Sequence, residues 1–336
     1  MFKRVIPFLS FLIIAGCGQL TTNKDESDGH LKVTDFRGKE VVLKQPASRI
    51  VCLIESALSG LYMLDAYPQV VGISTGVYNE GTFPQYALLD ERISAKTLPT
   101  AGNWDFINLE SIVSLKPDLV IIWASQSESI DAIEEKGIPV YAVFIESFED
   151  VYKEISDFGI LTDRKNKADS IINYTKTEVM ELSGKVADMN EKKSVYFMWS
   201  QGLLETSGTT STVNDLIELA GAKNACRIPK EHVIINKEVL LEYNPDIILM
   251  WQNNRQSPED LLKLPELSAI RAAKSGDIYE LPSVFWCDLW TLKYQFAVKI
   301  LTKYCYPDKF ADMDLEVEKR KMILSLYGNR GRKLFE

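Results

Sequence analysis

The chain is poor in the side chains that carry most protein chemistry. It has two histidines, His30 and His232, which leaves almost nothing for a histidine-rich metal site or a histidine-based triad. It contains no H-E-x-x-H pair, no phosphate loop and no G-x-G-x-x-G after a strand. Basic charge is short as well. Against 47 acidic side chains stand 38 Lys and Arg, and the net −9 argues against nucleic acid or an anionic membrane surface as a partner. Beyond the first residues no segment is apolar for long enough to cross a bilayer. Cysteines are few, and Cys52, Cys226, Cys287 and Cys305 match no zinc or disulfide spacing. Cys52, inside the apolar run RIVCLI, reads as a small buried hydrophobe. A Cys226–Cys287 bridge is possible, and free thiols are the plainer expectation.

What is present begins with an export signal. Lys3 and Arg4 precede an apolar stretch over 5–15 that is too short to span a membrane. Ile14-Ala15-Gly16-Cys17 resembles the bacterial lipobox, in which the Cys becomes the lipidated first residue. Several acyl chains on Cys17 meet the need for more than one lipid in stable anchoring. Residues 1–16 are thus expected to be removed. Residues 17–30, polar and without apolar period, form a tether at the periplasmic face of a bacterial membrane.

The most informative feature is a repeat. Residues 108–123, NLESIVSLKPDLVIIW, return as NKEVLLEYNPDIILMW at 236–251. Asn108 and Asn236 are placed to cap short helices. Pro117 and Pro245 stop those helices, because proline removes a donor and disfavours helix just before it. The apolar runs beyond them read as strands buried on both faces of a parallel sheet, each ending in a Trp where open α/β sheets put their ligands. Two such units imply two similar lobes with a cleft between them.

Residues 31–147 read as the first α/β lobe. It has a hairpin around Arg37-Gly38, a strand over 49–54, a helix capped by Ser56, a strand over 70–74, and a loop-rich stretch over 75–107. Residues 148–190 lack proline and any strand-like run. They predict a helix over 148–158 ended by Gly159, then a helix over 163–189 of roughly 37 Å, long enough to bridge two lobes. Residues 191–336 read as the second lobe, with a closing helix of about sixteen residues and a frayed end over 329–336. The expected fold is α/β: two Rossmann-like lobes joined by one long α-helix, with the ligand cleft between them.

The order of these pieces resembles the metal-chelate substrate-binding proteins of ABC importers. SRIVCL at 48–53, both repeat copies, GIPVYAV at 137–143, NDLIELAGAKNA at 214–225 and YPDKFADMDLE at 306–316 carry the likeness. It implies a monomeric binding protein, not an enzyme and without a cofactor, that delivers an iron–siderophore, corrinoid, haem or oxyanion to a membrane permease and its ATPase. Glu110 and Glu238 sit in the first turn of equivalent helices, where the helix dipole favours a carboxylate by ~0.3–1 kcal/mol. By the resemblance they dock on permease arginines, one per lobe.

The loops after strand ends supply candidate ligand contacts. They are Tyr78, Phe83, Asn103, Trp104, Trp123 and Gln126 from the first lobe. The second offers Trp199, Thr206, Thr209, Trp251, Gln252, Arg255, Phe285 and Trp286. Trp290 also falls here, but it opens the last predicted helix and is expected in the core. Indoles give large flat area with one N–H to place, which suits a bulky guest. Arg255 is the one basic residue in these loops, too little for a naked oxyanion or catecholate. Haem would need an axial ligand such as His232 or Tyr78. A corrinoid and a hydroxamate siderophore suit the inventory about equally. Glu55 departs from the pattern, which has a small residue or Pro where the first strand meets its helix. Two other classes stay open at this stage: a lipoprotein enzyme, and a receptor that signals instead of feeding a transporter.

Overall fold

The computed structural model describes residues 30–79, 81–253 and 255–336. The signal segment, Cys17 and the tether up to residue 29 lie outside the described residues. Strands β1 (Leu31–Thr34) and β2 (Glu40–Leu43) form the expected hairpin, turning at Gly38 with φ +78°. Strands β3 (Ile50–Cys52), β4 (Val70–Ile73), β5 (Leu119–Trp123) and β6 (Val140–Val143) build a parallel sheet in the order β4-β3-β5-β6. Helices α1 (Glu55–Met63), α2 (Phe83–Leu89), α3 (Glu91–Ser94), α4 (Leu109–Ser114) and α5 (Ser127–Glu134) complete this lobe. Helices α6 (Phe148–Leu161) and α7 (Lys165–Val186) then lead to the second sheet.

Its strands are β7 (Ser194–Met198), β8 (Glu205–Thr206), β9 (Lys223–Asn224), β10 (Val233–Ile234), β11 (Ile247–Met250) and β12 (Ile278–Glu280). Four of them run β9-β7-β11-β12, and β8 pairs antiparallel with β10 at the side. The helices of this half are α8 (Thr212–Leu219), α9 (Lys237–Tyr243), α10 (Pro258–Leu262), α11 (Arg271–Ser275), α12 (Val284–Cys287), α13 (Tyr294–Cys305) and α14 (Leu315–Tyr327). Matched strand by strand, the two sheets have the same order. The duplication read from the sequence is a duplication of topology.

The repeat works as its chemistry demands. Asn108 Oδ1 accepts from Ser111 N at 2.9 Å, and Asn236 Oδ1 accepts from Val239 N at 2.9 Å. The residue before each proline is left-handed: Lys116 has φ +47° and Asn244 φ +40°, which turns the chain out of the helix. Asp118 then accepts from Ser48 N at 2.8 Å and Arg49 N at 2.9 Å, and Asp246 accepts from Ser194 N at 2.8 Å. Each Asp thereby ties the start of its strand to the neighbouring one. Alternate residues of β5 enter different cores, Leu119 and Ile121 on one side, Val120 and Ile122 on the other. Ile247 and Leu249 oppose Ile248 and Met250 in the same way.

The inner faces of both sheets belong to one continuous apolar core that runs through α6, α7, α13 and α14. Ala168, Ile171, Val179, Leu182 and Val186 of α7 are buried in it. Lys299 of α13 bridges Glu178 of α7 at 2.6 Å and Glu318 of α14. The lobes are therefore joined by packed helices, and domain motion is resisted by buried surface at about 25 cal/mol per Å² of any apolar area it would expose.

Several local expectations give way here. Gly159 does not end α6; a Cβ there would lie 2.6 Å from Ala168 Cβ, so the glycine lets α6 and α7 touch. Ser56 does not cap α1, whose N-cap is Ile54 without a side-chain bond. The stretch 75–107 holds α2 and α3, the second capped by Asp90 through Arg92 N. The last residues are not frayed. The 3-10 helix Gly328–Leu334 packs on the first lobe, with the Arg330 guanidinium 3.7 Å from the Tyr67 ring centre and donating to Leu89 O. Ser59 and Tyr327 hydroxyls meet at 2.5 Å. The C-terminal segment thus crosses back from the second lobe to the first. All four described cysteines are free and buried, so no Cys226–Cys287 bridge forms.

Candidate functional site

The carboxyl ends of the two sheets face a common cavity of about 370 Å³. The first lobe contributes Leu53, Ile54, Glu55, Ser74, Trp104 and Trp123, and the second contributes Val284, Asp288 and Trp290. Two of the walls are tryptophans fixed by their own loops. Trp123 ends β5 and is half-buried. Trp104 is 71% exposed, on a turn where Asn103 Oδ1 accepts from Asp105 N at 2.8 Å and Phe106 N at 2.9 Å. Gly102 makes that turn possible: its φ is +133°, and a Cβ would meet Phe106 O at 2.5 Å. Gln126 Nε2 donates to Asn103 O at 3.3 Å and ties the turn to α5.

The opposite wall is a triangle of indoles. Trp290 stacks on Trp199 with ring centres 6.0 Å apart and 6° between planes, and packs on Trp251 at 5.9 Å. Trp199 and Trp251 are buried, 5.4 Å apart, and Trp199 Nε1 donates to Ser207 Oγ at 2.8 Å. Two tryptophans therefore serve as a rigid backing, and the third, Trp290, lines the cavity. This reverses the expectation that Trp290 is core as the first residue of the last helix, since that helix begins later, at Tyr294, and α14 follows it.

Other expected contacts lie elsewhere. Phe285 is 1% exposed and packs edge-on against Tyr86 at 5.5 Å, in the core. Trp286 rests against Phe335 at 5.9 Å. Tyr78 and Phe83 pack on each other at 6.0 Å, and the Tyr78 hydroxyl donates to Leu98 O at 2.8 Å. Thr206 is fully buried, and Arg255 is exposed with its N–H on Asn253 Oδ1 at 3.0 Å. None of these lines the cavity, and neither does His232. Glu110 and Glu238 are exposed in the first turns of α4 and α9.

The sequence reading missed the acid at the base of the second wall. Asp288 is 4% exposed, and its Oδ1 accepts from Trp290 N at 2.9 Å, orienting that indole. Burial raises the Asp288 and Glu55 carboxyls above their usual range, and Asp288 raises Glu55 further. Burial lowers Lys293 to about 8, against the pull of Asp288. A carboxylate between Trp286 and Trp290 was the available signal, though no periodicity marks it as cavity-facing. Among the described residues no lysine or arginine lines the cavity, and no cluster suited to a metal ion occurs. A larger cavity of about 510 Å³ lies beside α6, α7 and α8 and has no tryptophan in its lining.

Residues 50–285 match the family described as periplasmic binding protein. An uncharacterized ABC transporter substrate-binding lipoprotein of Bacillus subtilis, YvrC, is 27% identical over 90% of this chain and 96% of its own. The molybdate-binding protein MolA of Haemophilus influenzae is 24% identical over 88% of this chain and 89% of its own. The Helicobacter pylori CeuE structure, a Ni–His complex, superposes with a TM-score of 0.74 at 20% identity, covering 91% of this chain and 99% of that one. Among the described residues no helix is long and apolar enough to cross a membrane. The same fold and a family match across both lobes agree: the chain belongs to the periplasmic binding protein family.

Proposed function

We propose that the protein captures a metal chelate, an iron–siderophore or a cobalamin-type corrinoid, between its lobes and delivers it to a membrane permease. One observation carries this reading: Trp104, Trp123 and Trp290 face one cavity from both lobes, with no basic side chain in its lining. Indole faces hold large, flat or bulky guests through contact area. The volume of about 370 Å³ admits the body of a compact chelate or one edge of a corrinoid, the remainder staying at the open mouth. The molybdate of the H. influenzae relative does not carry over easily, because a naked oxyanion needs clustered cations or N–H donors. Haem is disfavoured because His232 and Tyr78, the expected axial ligands, lie outside the lining.

In this reading residues 31–147 and 191–336 are the lobes, Glu110 and Glu238 dock on permease arginines, and lipid on Cys17 holds the protein at the periplasmic face. Native mass spectrometry with tryptophan quenching tests the ligand class, using cyanocobalamin, a ferric hydroxamate, haem and molybdate. A one-to-one complex with a corrinoid or hydroxamate chelate is expected. Binding of molybdate alone would refute the reading.

A further inference from the structure

Glu55 and Asp288 enter the ligand cavity from opposite lobes, Glu55 where β3 turns into α1, Asp288 just after α12. Their charges are not equally balanced. Asp288 feels the Lys293 ammonium, which is itself 1% exposed and lies 4.3 Å from the Phe285 ring centre. Glu55 has no such cation; it is met by the Thr82 hydroxyl and by the charge of Asp288. Neither carboxylate forms an ion pair with any described Lys or Arg.

Glu55 is also held in place. Its Oε1 lies where a Cβ on Gly76 would stand, 1.7 Å from that ideal position, so the carboxylate rests directly on the Gly76 backbone. Gly76 N in turn donates to Ser74 Oγ at 3.1 Å. A seated carboxylate that is largely desolvated and has no cation is an unfinished interaction. Glu55 and Asp288, on facing lobes, also repel each other, and a donor placed between them removes that repulsion.

We propose that Glu55 and Asp288 form an acidic floor that selects the guest by charge: it receives a cationic or N–H-bearing edge from both lobes at once and rejects a chelate with an anionic rim. This rests on the cleft being the chelate site. It adds a charge criterion that the tryptophan walls do not supply, because indole faces are indifferent to the sign of a peripheral group on the guest.

The test holds the metal core constant and changes one peripheral charge. Ferrioxamine B, which carries a pendant ammonium, is compared with its N-succinyl derivative, which carries a carboxylate. Cyanocobalamin is compared with a monocarboxylate derivative. For whichever pair binds, the cationic or neutral member should bind at least about tenfold more tightly than the anionic one. Glu55→Gln, close in shape, should shrink that ratio at least about fivefold, mainly by tightening the anionic member. Raising salt on the unmodified protein should narrow the ratio too, a check that needs no variant to fold. Equal affinities within each pair, or a ratio unmoved by both Glu55→Gln and salt, overturn the acidic floor while leaving the chelate reading intact. Failure of all four probes to bind overturns the chelate reading itself, and the acidic floor with it.

Discussion

The two lobes are built from one skeleton, yet the tryptophan that ends each repeat does a different job. Trp123 stands half-buried in the cavity wall, whereas Trp251 is 8% exposed behind Trp290. Their strands match in order, their caps make the same side-chain hydrogen bond at 2.9 Å, and their prolines come after matching left-handed residues. The divergence comes from the loops at the cleft. In the second lobe residues 282–290 fold over the sheet end and supply a new wall; in the first, the 102–107 turn brings Trp104 to the rim and leaves Trp123 open. Duplication conserved the backbone solution, and the loops chose which side chains meet the guest.

That comparison can be broken at several points. The largest effect is expected at the exposed pair. Changing Glu110 and Glu238 together to Lys should lower uptake by roughly a hundredfold through lost docking, with chelate affinity unchanged in a binding titration. Lost affinity with normal docking would contradict the assignment. Next come the indoles. Trp251→Ala should cost about 3–5 kcal/mol of folding stability by urea denaturation, as a backing residue removed from a core. Trp123→Ala and Trp290→Ala should instead leave stability within about 1–2 kcal/mol and weaken chelate binding at least about tenfold. If Trp251→Ala proved the mild one, the division between wall and backing would be wrong.

A third prediction concerns the core beneath the cleft. Glu154 on α6 is 1% exposed and its Oε1 has no hydrogen-bond partner. Burial, then Asp288 and Asp157, hold its carboxyl well above the ordinary range, against Lys153. The folded state therefore binds this proton more tightly than the unfolded chain does. Its favourable contribution is complete below the ordinary carboxylate range and is lost as pH rises through the raised value. Glu154→Gln, neutral at every pH, should gain about 1–3 kcal/mol over the parent at pH 8 and almost nothing near pH 4 in paired denaturation curves. The smallest effect belongs to the caps: Asn108→Ala and Asn236→Ala should each cost ~1 kcal/mol, and by similar amounts, since each removes one capping bond of 2.9 Å.

Much of the architecture could be read from residues. The caps, the prolines and the unbroken apolar runs each have one cheap structural solution, so both β5 and β11 and the helices before them were legible. Local chemistry misled where contact at a distance overrode it. Gly159 looks like a helix stop, but its missing Cβ is used against Ala168. The polar end at 329–336 looks frayed, but Arg330 finds Tyr67 and Leu89 in the other lobe. The sequence pattern puts Phe285 at the cleft and Trp290 in the core, and the structure exchanges them, because sequence shows that an aromatic is near a strand end, not which way its loop turns it.

The sequence by itself determined that an α/β unit occurs twice, that a long helical stretch separates the copies, and that tryptophans gather at the strand ends. Hydrogen bonding, proline geometry and hydrophobic period dictate those features, and all three act within a dozen residues. Only the tertiary structure decided that Glu55 and Asp288, 233 positions apart, share one cavity, and that Trp199 and Trp251 support a third indole. Such pairings depend on how two sheets are set against each other by α6, α7 and α13. No local pattern encodes that distance.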